Sequence, residues 1–428
     1  MGGAVTKAAC ALLAVSLAVG GCAGKRQAFS LSPPPTALAA ARPCASAEVT
    51  IAFDFEGASP ARCGIEGPRS FTLVIGPEHG PPINPSPWYA FRYRAANGPP
   101  VSVTLTYLGA RHRYTPKLSR GGETIELDAA VGATGNSATL SLPAGKGIVS
   151  AQPLYTPGHY ARFLDAMVRD YGARRITLGR SLDGRAIDGV TLGSPDAPCL
   201  IVLLGRQHPP EVTGSYAMEP FVAELARILK ADPSLAARFQ VLAVPLVNPD
   251  GVALGHWRAN RGGVDLNRDW GTFTQPETRA VRDYLAALPV RIRPFMTIDF
   301  HSTARNLFYV QGAEATPDQA RVIAQWLDSR LTAFARYPFT VERSNANPGA
   351  GTSKTWFNAT YGIPAITYEV GDATSRQNAE EPARELARTL LPILATRGDC
   401  CISAMPWGST RSTGVRKRTY GSFGGKRS

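Results

Sequence analysis

Two hydrophobic periodicities divide this 428-residue chain into an N-terminal and a C-terminal part. In the N-terminal part apolar and polar positions alternate, which is typical of strands with one buried face. The alternation is clearest in a run whose apolar positions are Val101, Val103, Leu105 and Tyr107. Similar short runs, separated by proline and glycine, lie at 71–75, 88–93 and 138–142. This pattern predicts a small antiparallel β-sandwich domain over residues 44–152.

From residue 153 onward, short apolar runs alternate with longer segments of helical periodicity. The runs that predict strands lie near 198–204, 239–247, 294–300, 339–343 and 364–370. The segments that predict helices lie near 158–171, 211–229, 275–288, 316–335, 352–361 and 377–395. Strand–helix alternation of this kind predicts an α/β domain over residues 153–399, with helices on both faces of a mixed sheet.

Residues that carry chemistry follow the predicted strands of this second part. His208 and Glu211, in His-Pro-Pro-Glu, come after its first strand, and His301 ends a later one. Ligands of α/β sheets collect beyond the carboxyl ends of the strands. Two imidazole nitrogens and one carboxylate oxygen, with one position left for water, form a catalytic zinc arrangement. The sequence therefore predicts one zinc ion per chain, held by His208, Glu211 and His301.

Several motifs in a fixed order extend this picture. They are His208-Pro209-Pro210-Glu211, Asn248-Pro249-Asp250-Gly251, Asp265-Leu266-Asn267-Arg268, His301 and Glu369. In this order the motifs resemble the zinc metallocarboxypeptidase family over roughly residues 155–397. Upstream, segments 81–92 and 112–119 resemble the β-domain of the cytosolic carboxypeptidase branch. Some eukaryotic members of that branch trim glutamates from protein tails, and the chain is similar to its exported bacterial members.

The resemblance implies a role for each residue of the site. Glu369 is the expected general base, which takes a proton from water and hands it to the leaving amine. Arg258 is expected to stabilise the oxyanion, with Arg261 as a competing candidate. Asn267 and Arg268 are expected to hold the terminal carboxylate of the substrate, because a guanidinium can bind a carboxylate with two N–H groups. The alternative for each arginine is an ion-paired or surface position.

Other residues are expected to support these groups. We expect Asp265 and Asp269 to orient their neighbours, and Asp299 either to hold His301 or to cap its strand. The tyrosine that the best-known family members carry ahead of the final glutamate has no counterpart in 344–350. Its absence bears on how substrate is clamped and not on the zinc chemistry.

Lys354 lies in the segment that sets specificity in this family. A lysine that lines the substrate pocket would favour an acidic terminal side chain. The alternative is that Lys354 caps the helix predicted at 352–361 or extends into solvent.

The first 22 residues resemble a lipoprotein-type signal peptide. Lys7 precedes an apolar run at 8–19 that is too short to span a bilayer, and Val19-Gly20-Gly21-Cys22 follows. Cys22 would then carry lipid, and residues 23–43 would form a flexible tether. The alternative is ordinary cleavage nearby. We therefore expect a bacterial cell-envelope protein, either lipid-anchored or periplasmic.

Cysteine and charge add four expectations. Outside the cytoplasm Cys44 and Cys63 could pair, whereas Cys199 begins a buried strand and is expected to be an inert thiol. The formal net charge is +13, and six of the positive charges lie in the last 18 residues. Residues 400–428 are therefore predicted to be a basic disordered tail. No aromatic-interleaved basic groove or reading module appears in the sequence, so no nucleic acid partner is expected.

Three functions fit these observations. The favoured one is a zinc-dependent carboxypeptidase that releases C-terminal residues, acidic ones included, from peptides or proteins. The first alternative is an amidase or carboxypeptidase acting on peptidoglycan peptides of the cell envelope. The second is a non-catalytic binding lipoprotein, against which the complete set of site residues argues.

Overall fold

The computed structural model describes residues 44–59, 61–344 and 349–398. The predicted signal peptide, tether and basic tail lie outside the described residues. Within the described ranges, no helix has the length and apolar character needed to cross a bilayer.

The N-terminal part consists of two packed sheets. Its strands are β1 (Cys44–Ala45), β2 (Val49–Ala52), β3 (Arg62–Gly67), β4 (Ser70–Ile75), β5 (Ala90–Ala95), β6 (Val101–Tyr107), β7 (Lys117–Arg120), β8 (Glu123–Glu126), β9 (Ala129–Val131), β10 (Ser137–Leu142) and β11 (Gly145–Ser150). One sheet has the order β1-β2-β5-β11-β7-β8 and the other β3-β4-β6-β10-β9. Side chains from both sheets share one apolar core. A sandwich is therefore confirmed, with one parallel pair, β4–β6, among its antiparallel pairs.

The C-terminal part is an α/β unit. Its elements are α1 (Pro157–Tyr171), β12 (Arg174–Arg180), β13 (Ala186–Gly193), β14 (Cys199–Gly205), α2 (Val212–Ala231), α3 (Pro233–Arg238), β15 (Phe239–Val244), α4 (Pro249–Ala253), α5 (Pro276–Ala286), β16 (Arg293–Thr303), β17 (Leu307–Val310), α6 (Pro317–Trp326), β18 (Thr340–Arg343), α7 (Ser353–Tyr361), β19 (Ala365–Gly371) and α8 (Arg376–Ala395). Short 3-10 turns lie at Leu266–Arg268 and Asp328–Arg330.

An eight-stranded mixed sheet runs through this unit in the order β12-β13-β15-β14-β16-β19-β17-β18. Its four central strands are parallel to one another. Helices α1, α2, α6 and α8 cover one face with the largest apolar core, and α5 and α7 cover the other. The predicted fold class is therefore confirmed.

The three cysteines among the described residues are all disulfide-bonded. Cys44 and Cys63 are bonded, with their Cα atoms 6.0 Å apart, so the bond joins the first strands of the two N-terminal sheets. Cys199 is also disulfide-bonded, so the expectation of a free, inert thiol is wrong.

The central strands determine where the functional residues lie. Every residue of β14 is buried, as expected for a parallel strand covered on both faces. β14 pairs with β16, and β16 pairs with β19, so the carboxyl ends of all three meet at one edge of the sheet. His208 follows the first of these strands, and His301 and Glu369 lie near the ends of the other two.

Candidate active site

Glu211 lies between the two histidines of the predicted zinc site. Its Oε1 is 2.8 Å from Nδ1 of His208, and its Oε2 is 2.7 Å from Nδ1 of His301. The potential ligand atoms of the three residues lie within 4.8 Å of one another. Two imidazole nitrogens and a carboxylate oxygen are a donor set that suits zinc.

The second nitrogen of each imidazole has a carboxylate partner. Nε2 of His208 is 2.9 Å from Oδ1 of Asp265, and Nε2 of His301 is 2.8 Å from Oδ2 of Asp299. These carboxylates favour a proton on Nε2 and leave the Nδ1 lone pairs directed at a common point. The residues present therefore fit a zinc ion, and Asp299 is placed where it can orient His301.

The charges of this cluster reinforce one another. Burial acts to lower the pKa of His301, but Asp299 and Glu211 outweigh it and the pKa is raised well above its usual value. Burial likewise opposes the charged form of His208, and Glu211 and Asp265 bring its pKa above the usual value. For Glu211 burial acts to raise the pKa, but the two histidines hold it well below its usual range. A cluster that favours an added positive charge this strongly suits a cation.

The turn between β14 and α2 is shaped by neighbours of the ligands. Arg206 has φ of 52°, an uncommon conformation for a side chain other than glycine. Its buried guanidinium donates to the carbonyl of Pro209 and, at 2.6 Å, to the hydroxyl of Tyr160. In α2, a Cβ on Gly214 would lie 2.9 Å from the carbonyl oxygen of His301, so only glycine lets the helix approach that strand.

Glu369 lies opposite His301 in the parallel ladder between β16 and β19. Its Oε2 is buried and has no hydrogen-bond partner in the described part of the chain. Burial is the main cause that raises the pKa of Glu369 to about 7, with the nearby Glu211 adding to it and the histidines opposing it. Such a carboxyl group is placed to exchange a proton with a molecule at the metal site.

Of the two arginines considered for the oxyanion, Arg258 adjoins the zinc cluster. Its Nε is 2.6 Å from Oδ2 of Asp265, whose other oxygen contacts His208. Arg261 instead pairs with Asp183 at 3.2 Å. The geometry therefore favours Arg258 as the donor to a developing oxyanion.

Asn267 and Arg268 lie in the short turn that follows Asp265. Oδ1 of Asn267 accepts from the backbone N–H of Ser353 at 2.9 Å, and its Nδ2 is 3.3 Å from Nε2 of His301. Arg268 is exposed and donates to the carbonyl of Asn267 at 2.7 Å. No ion pair joins Arg268 to a carboxylate of the described residues, so its guanidinium is available to a substrate.

Asp269 anchors the loop that leads into α5, as expected of an orienting residue. Its carboxylate accepts from the backbone of Thr274 and Gln275 and from the hydroxyl of Thr278.

Lys354 neither caps α7 nor extends into solvent. Thr352 is the N-cap, with its side chain accepting from the backbone N–H of Thr355. The Lys354 side chain is buried, and its Nζ donates to the carbonyls of Val310 at 3.2 Å and Ser344 at 3.4 Å. Burial lowers the pKa of this ammonium group.

Sequence reasoning missed two residues of the N-terminal part that contact this site. Glu78 accepts from the backbone N–H of Arg258, and Arg113 pairs with Asp372, three residues after Glu369. The contacts span 180 and 259 positions of the chain, so no local pattern could have indicated them.

Comparison with known proteins agrees with this geometry. A family model described as zinc carboxypeptidase, Peptidase_M14, matches residues 160–390, more than half of the chain. Cytosolic carboxypeptidase 6 of Mus musculus is 25% identical over 270 residues, which are 55% of this chain and 49% of the relative. Cytosolic carboxypeptidase 2 of Danio rerio is 27% identical over 179 residues, 39% of this chain and 25% of the relative. The chain thus spans less than half the length of these curated relatives.

The fold also has a counterpart among solved structures. A metallo-carboxypeptidase from Burkholderia cenocepacia shares it with a TM-score of 0.66 at 20% sequence identity. The alignment covers 81% of this chain and 98% of that chain, so it includes both the sheet domain and the α/β unit.

Proposed function

Because the chain belongs to the zinc carboxypeptidase family, we propose that it releases C-terminal residues from peptides or proteins by metal-assisted hydrolysis. The observation that carries the proposal is the position of Glu211 between the Nδ1 atoms of His208 and His301, 2.8 and 2.7 Å away. Glu369 lies opposite His301 on the next strand. A ligand set and a buried proton acceptor at one sheet edge support catalysis over simple binding.

The side chains divide the reaction among themselves. Zinc, when bound, polarises the scissile carbonyl and lowers the pKa of water at the site. Glu369 takes a proton from the attacking water and passes it to the leaving amine. Asp265 and Asp299 keep the two histidines in the protonation state that leaves Nδ1 free.

Two arginines serve two charged groups of the substrate, the developing oxyanion of the scissile bond and the free carboxylate of the terminal residue. The terminal nitrogens of Arg258 donate to the carbonyl oxygen as it gains negative charge. Arg268, with Asn267 beside it, holds the free carboxylate of the substrate. This carboxylate distinguishes an exopeptidase substrate from the interior of a chain.

We further propose that the enzyme prefers acidic residues at the substrate terminus, and that Lys354 sets this preference. Its ammonium is buried next to Ser344, in the segment that leads to α7, and the described residues place no carboxylate within ion-pair distance of it. Glu314 acts on the ammonium group from beyond ion-pair distance and opposes the lowering of its pKa by burial. An acidic side chain at the substrate terminus would supply a direct ion-pair partner.

The proposed location is the bacterial cell envelope, with a lipid anchor at Cys22. The disulfide between Cys44 and Cys63 and the disulfide-bonded Cys199 support an oxidising compartment. In a bacterial host the parent chain should sediment with membranes, and Cys22→Ser should release it. A parent chain that is already in the soluble periplasmic fraction contradicts the anchor.

A terminal-residue release screen tests the proposal. The purified protein is loaded with zinc and given matched peptides that differ only in the last residue, together with cell-wall peptides. We expect release of single terminal residues, abolished by chelation. Faster turnover of the cell-wall peptides would favour the envelope amidase, and binding without release would leave a non-catalytic lipoprotein.

A further inference from the structure

Glu78, in the loop after β4 of the N-terminal part, contacts three consecutive backbone N–H groups of the α/β unit. Oε2 accepts from Trp257 at 2.9 Å, and Oε1 accepts from Arg258 at 2.8 Å and Ala259 at 2.6 Å. Neighbouring N–H groups that converge in this way form an anion-binding concavity. Bonds to a charged acceptor are stronger than bonds between neutral groups, so Glu78 fixes this stretch of backbone.

The same stretch carries the arginine assigned to the oxyanion. Arg258 is held at its backbone by Glu78 and at its Nε by Asp265, 2.6 Å away. Within the described residues nothing bonds to its two terminal nitrogens, Nη1 and Nη2. The guanidinium is therefore anchored at two points and still presents N–H groups to a substrate oxygen.

A second residue of the N-terminal part contacts the other side of the site. Nε and Nη2 of Arg113 lie 2.8 and 2.7 Å from Oδ2 of Asp372, just beyond β19. The same guanidinium lies over the ring of Trp257, 5.3 Å from its centroid. Gln152 adds a bond of 2.8 Å to the carbonyl of Asp372. The N-terminal part therefore contacts both the Arg258 loop and the end of the Glu369 strand.

We propose that the N-terminal sandwich contributes to the active site, and that its Glu78 is the positioning residue for Arg258. A donor stabilises an oxyanion only if it is held in place before charge develops, and a displacement of about 1 Å costs on the order of 100-fold in rate. Glu78 supplies that restraint from another domain. The inference rests on the proposed function, because it presupposes that Arg258 serves the hydrolysis of a peptide bond.

Two substitutions test the restraint. Glu78→Ala removes every acceptor, whereas Glu78→Gln keeps one oxygen and turns an NH2 group toward a donor. We expect kcat to fall about 10- to 100-fold for alanine and less for glutamine, with KM changed less than about threefold, because the oxyanion forms only in the transition state. Zinc content and Tm should stay near those of the parent, which separates a lost restraint from a lost fold.

Glu48→Ala is the matched control. Glu48 belongs to the same domain, and its carboxylate pairs at 2.5 Å with Arg69, another residue of that domain. We expect its kcat to lie within about twofold of the parent value, as for a partly exposed ion pair that serves no substrate.

A double-mutant cycle with Arg258→Ala decides whether Glu78 acts through this arginine. Arg258→Ala alone should cost about 100- to 1000-fold in kcat, and adding Glu78→Ala should cost little more. An equal additional loss in both backgrounds overturns the inference, as does a parent-like kcat for Glu78→Ala. A parent protein that releases no residue from any peptide overturns the proposed function itself, an outcome distinct from the other two.

Discussion

Lys354 offers the sharpest test of what this enzyme accepts. The change we choose is Lys354→Met, which keeps most of the buried aliphatic stem and removes the charge. Lys354 is 6% exposed, so truncation to alanine would add a packing defect to the loss of charge. The methionine variant therefore isolates the ammonium group.

The expected magnitude follows from the contacts of Nζ. An ammonium group has three N–H donors, and the carbonyls of Val310 and Ser344 accept two at 3.2 and 3.4 Å. One donor remains for a substrate carboxylate, and among the described carboxylates Glu314 acts on the ammonium group only from beyond ion-pair distance. At 4 Å and an effective dielectric constant of about 20 such a pair gains roughly 4 kcal/mol. Desolvation of both groups offsets part of this gain, and we expect a net loss of about 1.4–3 kcal/mol.

The assay compares three peptides that are identical except for a final Glu, Gln or Leu. Lys354→Met should lower kcat/KM on the Glu peptide roughly 10- to 150-fold, the kinetic equivalent of that energy. The Gln and Leu peptides should change little. Lys230→Met is a matched control, because Lys230 donates to the carbonyl of Asp170 at the protein surface. Equal losses on all three peptides would assign Lys354 to the fold, and a parent enzyme that prefers Leu would refute the acidic preference.

Three further outcomes follow from the site and its surroundings. Metal analysis of His208→Ala and of His301→Ala should find zinc well below one ion per chain, and a fully metallated variant would contradict the ligand assignment. Glu369→Gln should retain zinc and Tm and lose about two to four decades of kcat, whereas near-parental turnover would move the base elsewhere. Burial raises the pKa of Glu277 to about 7, so the folded state binds this proton more tightly and loses stability as pH rises from about 4.5 through 7. Glu277→Gln should therefore raise the unfolding midpoint at pH 8 and increase the free energy of unfolding there by up to about 3 kcal/mol. At pH 5 both quantities should stay nearly unchanged. Equal shifts of the midpoint at the two pH values would show that ionisation of this carboxyl is not the cause.

How far the fold can be predicted from the sequence depends on burial. The central strands are continuous apolar runs because both of their faces are covered, and every one of them was predicted. β12 was missed because it is largely exposed and begins and ends with arginine, and β17 because it has only four residues. β13 was missed as well, because Asp188, Gly189 and Thr191 interrupt its apolar pattern although half of its residues are buried. The helix predicted at 316–335 ends at Trp326, since its later apolar residues belong to turns.

The residues of the candidate site also fall into those whose position the sequence predicts and those whose position it does not. His208, His301 and Glu369 come together because parallel strands bring their carboxyl ends to one edge, and that rule can be applied to a sequence. The direction of the Lys354 side chain could not be predicted in this way. It depends on where β17 ends and on the path of the chain at Ser344, neither of which has a periodic signature.

The contacts of Glu78 and Arg113 change the meaning of the boundary predicted near residue 152. That boundary separates two hydrophobic periodicities, yet the described residues on both sides form one compact unit. Without the N-terminal part, the backbone N–H groups of 257–259 would lose a charged acceptor, and Asp372 would lose its cationic partner beside the Glu369 strand. Burial raises the pKa of Asp372 to about 6 even with Arg113 beside it, so loss of that guanidinium would favour the neutral carboxyl group further. The sandwich is therefore better regarded as one wall of the active site than as an appended module.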